Sequence, residues 1–226
     1  PHAQSVLALF DELEYDLNDV RQGKPVKPVF FTQLPRGINE LEKINDRKKV
    51  FIQIVLPLVL SENEEILQKK KKILFLSKTR KLNSSDEDGW NETIKYYKVE
   101  KGNFELLLER ADIISPSLAI AQAAYESGWG TSRFALEGNS LFGQRTWTKN
   151  AGLIPLDREE SETFKVTKFD IIRASVKAYK KNLNTHKSYE NLRHERYKMR
   201  NNLEEISGLE LSKYLDNYSE IKDKYV

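Results

Sequence analysis

The sequence predicts a mainly α fold of the α+β kind, with one small β excursion late in the chain. Three observations carry this. Apolar residues recur at helical spacing through most of the 226 residues. One stretch, ETFKVTKF at 162–169, instead alternates in the manner of a strand. The intervening segments are punctuated by proline, glycine and short polar side chains, which start and stop helices for stereochemical reasons. A chain of this length can bury a sizeable core, as one large domain or as one domain with an appendage.

In chain order, Leu7, Phe10, Leu13, Leu17 and Val20 give an amphipathic helix over residues 1–22, stopped by Gly23 and Pro25. Pro28 to Pro35 reads as an extended connector. The next helix starts near Asn39 or Asn45 and runs through KVFIQIVLPLVLSENEEILQKKKKILFL, where Pro57 is expected to kink or split it by removing a backbone hydrogen bond. Lys69 to Lys72 read either as a contact for an anionic glycan or membrane surface or, more plainly, as a solvated turn of helix. Ser84 or Ser85 can N-cap a short helix through Trp90 to Tyr97, and Gly102-Asn103 opens a further helix, FELLLERADII. Asn150-Ala151-Gly152 is turn chemistry, and with Phe164 and Val166 it predicts a small hairpin. From Ile171 the helical period returns, with Ile172, Val176, Tyr179 and Leu183 on one face, and helices continue through Leu192, Tyr197 and 203–218. The expected division is a helical extension, residues 1–100, packed on a domain of residues 101–226.

Composition excludes several function classes. Lys+Arg number 37 against 34 Asp+Glu, a balance too even to argue nucleic-acid binding, where a concentrated basic face is expected, although an acidic polymer remains compatible. There is no cysteine, which removes disulfides, thiolate metal sites and a cysteine nucleophile. His2, His186 and His194 are too scattered for a metal-binding run. With no nucleotide-binding glycine loop and no nucleophile elbow either, neither a cofactor nor a metal is expected. No apolar run is long enough to span a membrane, so no integral membrane segment is expected. No signal peptide stands at Pro1, but the chain opens without Met and reads as a mature or trimmed fragment, so export stays open. Oligomeric state is not legible.

The chemistry concentrates in SPSLAIAQAAYESGWGTSR, residues 115–133. Ser115 suits the N-cap and Pro116 the first helical position. Leu118, Ala119, Ala121, Gln122 and Ala124 make a helix apolar almost all round, hence one expected to be buried on all sides. Glu126 falls at its C-terminal end, and Ser127-Gly128-Trp129-Gly130 breaks it. A carboxyl group there is only partly hydrated. Low dielectric disfavours its charged form and makes it a proton donor, whereas a plainer role would be capping or ion pairing.

AQAAYESGWGTSRFALEGNSLFG (residues 121–143) resembles the signature of bacterial glucosaminidase-type peptidoglycan hydrolases, glycoside hydrolase family 73, and among them the Bax-type group. PVFFTQLPRGINELEKINDRKKVFIQIVLPLVLSENEEIL upstream and SVKAYKKNLNTHKSYENLRHER downstream extend the resemblance over roughly residues 25–200. It implies a lysozyme-like fold, a periplasmic or exported, cell-envelope-associated protein, and an endo-β-N-acetylglucosaminidase that cleaves the bond from N-acetylglucosamine to N-acetylmuramic acid in peptidoglycan glycan strands. Glu126 would be the general acid. Glycosidases usually need a second carboxylate as nucleophile or base. Asp157, Glu159, Glu160 and Glu162 are available, and the family's hairpin glutamate points equally to Glu160 and Glu162, although its Thr-x-Glu mark is missing. A single-carboxylate or substrate-assisted route stays open.

The same resemblance supplies substrate-binding candidates. Trp129 would stack on a sugar or wall the acid. Asn139-Ser140-Leu141-Phe142-Gly143 resembles Asn-Asn-Leu-Phe-Gly, with Asn139 matching, Ser140 replacing the second amide, Phe142 packed and Gly143 leaving room for substrate. Gln144 would hydrogen-bond an acetamido group. Phe169-Asp170 stands where many relatives carry Tyr-Asp-Ser, without the hydroxyl. Tyr189 fits a family tyrosine that lines the site, with a helix-packing role as its alternative. His186 reads as a surface or capping residue, and Arg193 and Arg196 as members of structural ion pairs. The competing functions are a muramidase or lytic transglycosylase on the same fold, and a non-catalytic glycan-binding protein.

Overall fold

Ile172, Val176, Tyr179 and Leu183 are all fully buried, so the helical stripe read from the sequence is the inward face of a helix, Ile172–Thr185. The computed structural model describes residues 1–79, 87–148, 150–156 and 162–215. Its helices are α1 (Ala3–Glu12), α2 (Leu17–Arg21), α3 (Ile44–Thr79), α4 (Glu87–Tyr97), α5 (Phe104–Arg110), α6 (Pro116–Ser127), α7 (Arg133–Gly138), α8 (Ile172–Thr185), α9 (Glu190–Asn201) and α10 (Gly208–Ser212). Strands β1 (Arg145–Thr146), β2 (Gly152–Leu153) and β3 (Lys165–Thr167) form one antiparallel sheet in the order β1-β3-β2, with Val166 opposite both Arg145 and Leu153. The fold is mainly α with a small sheet, as expected of a lysozyme-like chain; the hairpin gains a third strand, β1, ahead of the Asn150 turn.

Three local expectations change. The first helix is broken, because Asp16 starts α2 as its N-cap, accepting from the Asn18 backbone at 2.6 Å, and Glu14 takes a left-handed φ of 51°. Pro57 does not end α3, which runs unbroken over 36 residues. An interior proline costs about 3 kcal/mol, but Phe51, Ile54, Val55, Leu58 and Val59 on both sides of it are buried, and that burial outweighs the lost hydrogen bond. Helix α6 is not buried all round: Ala119, Gln122, Ala123 and Ala124 face inward, while Ala121 and Tyr125, one turn apart, are exposed. Other punctuation follows the sequence. Asn103 caps α5 through the Leu106 N–H at 3.1 Å, and α6 begins at Pro116. Ser84 and Ser85 lie outside the described residues.

The chain divides into two compact units, residues 1–60 with 119–179, and residues 61–118 with 180–226. In the first, Phe10 packs edge-on against Tyr15 and Phe31, and the buried Gln53 amide donates to the Tyr15 carbonyl. In the second, Ile73, Leu76, Trp90, Tyr97, Val99, Leu107 and Ala111 form a hydrophobic cluster, with Trp90 stacked on Phe104. That unit also holds a buried polar network. Arg196, fully enclosed, donates to the carbonyls of Glu109, Asp112 and Ile113 and to Asn184 Oδ1, and Arg193 donates to the carbonyls of Leu183 and His186. The expectation that both arginines make ion pairs is therefore corrected among the described residues: their hydrogen bonds go to backbone carbonyls and, for Arg196, to the neutral Asn184 amide oxygen, while the buried Asp112 carboxylate acts on Arg196 by its charge alone. Lys70 also turns inward from the lysine run, onto Asp112 at 2.5 Å. Among the described residues no helix is long and apolar enough to cross a membrane.

Candidate active site

The first unit assembles the end of α6, the turn after it, α7 and the loop that leads into β1. Ser127, the last residue of α6, locks the turn. Its hydroxyl donates to the Ala123 carbonyl at 2.6 Å and accepts from the Gly130 N–H at 2.9 Å, while its own carbonyl accepts from Ser132 at 3.0 Å. Gly128, Trp129 and Gly130 then take φ values of 58°, 59° and 80° in succession. For Trp129 this left-handed backbone costs about 1–2 kcal/mol, a strain of the kind that persists where surroundings over-determine a functional turn. Gly130 has no alternative, since a Cβ there would come within 2.9 Å of Leu34 and 3.0 Å of Phe51. The Trp129 ring packs edge-on against Phe51 at 5.9 Å and lies under the Lys48 ammonium at 4.9 Å, half-buried. It is thus a wall with part of its surface open, compatible with both expected roles.

Ser132 caps α7, which ends on Asn139 at φ 51°. The Asn139 amide bridges the carbonyls of Phe169 and Asp170 at 3.1 Å each, tying the loop to the segment after β3. Ser140, Leu141 and Phe142 are buried, and Phe142 stacks flat on Tyr179, 4.0 Å between centroids and 6° between planes. The Tyr179 hydroxyl donates to Gln122 Oε1 on α6. Gln122 lies one helical turn before Glu126, on the same face. Gly143, at φ 59°, follows Phe142, and a Cβ added to it would stand 3.1 Å from Glu126 Oε2. A closed ring results: Glu126 against Gly143, Phe142 on Tyr179, Tyr179 to Gln122, and one turn of α6 back to Glu126. Gln144 continues into the sheet, its carbonyl accepting from Thr167 at 2.7 Å.

Glu126, Trp129, Asn139, Phe142, Gly143 and Gln144 therefore belong to one connected segment of one unit, with Glu126 half-buried. Of the second-carboxylate candidates, Asp157, Glu159 and Glu160 lie outside the described residues; Glu162 is half-buried just ahead of β3. Tyr189 belongs to the other unit, where it is buried at the end of a 3-10 turn, Lys187–Tyr189, which His186 caps through the Ser188 N–H. Sequence reading missed Ser127, Gln122 and Tyr179. The one available signal was the four-residue spacing of Gln122 from Glu126. Among the described residues no group of three or more His, Asp or Glu could hold a metal ion.

The ring makes a prediction. Tyr179→Phe keeps the stack on Phe142 but strips the buried Gln122 oxygen of its donor, a loss of about 1–3 kcal/mol. Denaturant unfolding should register that loss, and with Glu126 read as an acid for glycan cleavage, kcat should fall more than KM rises, because the slackened element holds Glu126 rather than the sugar. An equal change in both would assign Tyr179 to general packing.

A half-buried carboxyl group at a helix end, beside an aromatic wall, is placed to donate a proton, and glycosidic cleavage is one reaction that needs such a donor at the leaving oxygen. The family model described as Mannosyl-glycoprotein endo-beta-N-acetylglucosaminidase matches residues 103–224, more than half the chain, and the chain belongs to this Glucosaminidase family of glycoside hydrolases. Among curated proteins it is similar to Protein bax of Escherichia coli (strain K12), 31% identical over 179 residues that cover 76% of this chain and 64% of that protein. The chain thus spans just under two thirds of that relative's length. No solved structure matches it.

Proposed function

We propose that this protein is a peptidoglycan endo-β-N-acetylglucosaminidase, exported to the cell envelope, that cleaves the bond from N-acetylglucosamine to N-acetylmuramic acid with Glu126 as general acid. The observation that carries the reading is the approach of the Glu126 carboxyl to the Gly143 backbone, 3.1 Å from where a Cβ would stand. A glycan crossing a loop without a side chain at that point can bring its glycosidic oxygen to the carboxyl, which protonates the leaving group. Trp129 offers the exposed part of its ring to a sugar face and shields the acid, Asn139 and Phe142 hold the loop, and Gln144 is the remaining substrate contact within this unit. Glu160 or Glu162 serves as second carboxylate, unless the substrate's own acetamido group takes that part. Family membership and the similarity to Protein bax support the reading.

The test is mass spectrometry of products from purified peptidoglycan, with wild type beside Glu126→Gln. Loss of a positioned general acid costs about 10²–10⁴-fold, so new reducing N-acetylglucosamine ends should form with wild type and fall by that factor in the variant. Anhydro-muramic ends would instead make it a lytic transglycosylase, and reducing muramic acid ends a muramidase. Binding to glycan without products from either protein would leave a glycan-binding role.

A further inference from the structure

The second half of α3 has an outward face that is exposed among the described residues. Ile66, Lys70, Ile73 and Leu76 point inward and are buried. On the opposite side Leu67, Leu74 and Phe75 are 36%, 39% and 62% exposed, and Lys71 and Lys78 are exposed among them. At 100° per residue these five lie within one stripe of the helix, about 17 Å long at 1.5 Å per residue. Lys72 is exposed at its margin, and the sequence continues with Arg80 and Lys81. Glu64 and Glu65, exposed one turn earlier, end the basic stretch.

We propose that this face docks on an anionic phospholipid bilayer, with Leu67, Leu74 and Phe75 entering the headgroup boundary and Lys71 and Lys78 meeting lipid phosphates. Charge complementarity and the apolar content together select this occupant. A soluble anionic glycan would use the lysines and could stack a sugar on Phe75, but it would leave Leu67 and Leu74 in water. A second copy of the face would bury the apolar groups but set Lys71 and Lys78 against their own kind. An interfacial helix with apolar anchors between lysines satisfies both demands at a lipid surface. The docking is independent of the glycosidase reading, since it uses no residue of that site.

The experiment is co-sedimentation of the full chain with phosphatidylglycerol-rich vesicles and with phosphatidylcholine vesicles, at low and high salt. Expected is salt-sensitive binding to the first and little to the second, reduced on the order of tenfold or more by Lys71→Glu with Lys78→Glu and likewise by Leu74→Ser with Phe75→Ser. All four positions are exposed, so circular dichroism should show the variants folded, and cleavage of soluble glycan fragments should be unchanged. Equal binding to both vesicle types, binding unaffected by either pair of substitutions, or no binding would overturn the proposal. So would a dimer in sedimentation that the Leu74→Ser, Phe75→Ser variant abolishes, since the face would then belong to a second copy.

Discussion

With Glu126 as the proposed acid, Gly143→Ala is expected to lower kcat on peptidoglycan by about 10-fold and by no more than about 10²-fold, the penalty that a displacement of about 1 Å of a catalytic group carries. Two effects act at this position. The backbone φ of 59° is left-handed, which costs an alanine about 1–2 kcal/mol. The new methyl would also stand 3.1 Å from Glu126 Oε2, tighter than ordinary van der Waals contact, so one side must give. The loop is the stiffer side: the Asn139 amide holds two carbonyls, Phe142 is stacked on Tyr179, and the Gln144 carbonyl is hydrogen-bonded to β3. The carboxyl of Glu126 therefore moves. Gly23→Ala provides the control, since its φ of 93° carries backbone strain while an added Cβ meets nothing within 4 Å. Both variants should melt earlier; only Gly143→Ala should lose kcat. A Gly143→Ala enzyme with lowered melting temperature and unchanged kcat would remove Glu126 from the chemistry.

How much of this arrangement the sequence reveals depends on the range of the interaction that fixes it. The face of α8, the Asn103 cap and the end of α6 at Ser127 are local facts, set by period and capping chemistry, and they are legible. Glu126, Trp129 and the loop at 139–143 are legible as a motif for the same reason, being contiguous. The pair that closes the ring, Tyr179 and Gln122, is separated by 57 positions, and no local pattern marks it. Pro57 and Asp16 show the converse. The first is overridden by apolar burial around it, and the second acts as a cap inside what reads as one amphipathic stripe. Alanines mislead on α6 because a methyl gains too little from burial to decide which way a helix face turns, so Ala121 and Ala123 read alike while only Ala123 is enclosed. The buried arginines are illegible for a further reason: a guanidinium's partners can be carbonyls, which every residue carries.

Asp112→Asn should destabilise the second unit by about 3–5 kcal/mol, the cost of leaving buried charges without their counter-ion. Asp112 is fully enclosed. Its carboxylate takes Arg200 in a fork, 2.8 Å and 3.1 Å, and Lys70 at 2.5 Å, while its backbone carbonyl accepts from Asn184 and Arg196. Burial on its own pushes this carboxyl up, but the Arg200 hydrogen bonds and the Arg196 and Lys70 charges outweigh it and hold it at about 2, below the ordinary value of 3.8. Lys70 is the weaker member, because burial draws its ammonium below the ordinary lysine range despite Asp112. The anion is therefore held chiefly by Arg200, and the amide of asparagine can accept at most part of that fork. Since the folded carboxyl titrates below the unfolded one, its stabilisation is fully present above about pH 4 and lost as pH falls toward 2, a difference of about 2 kcal/mol at 1.36 kcal/mol per pH unit. Thermal melts across this range give the check. At neutral pH the variant should melt roughly 10 °C or more below wild type, and the gap should narrow between pH 4 and pH 2 as wild-type Asp112 takes up its proton. A gap that stays constant to pH 2 would mean that the loss comes from packing around residue 112 and not from its charge.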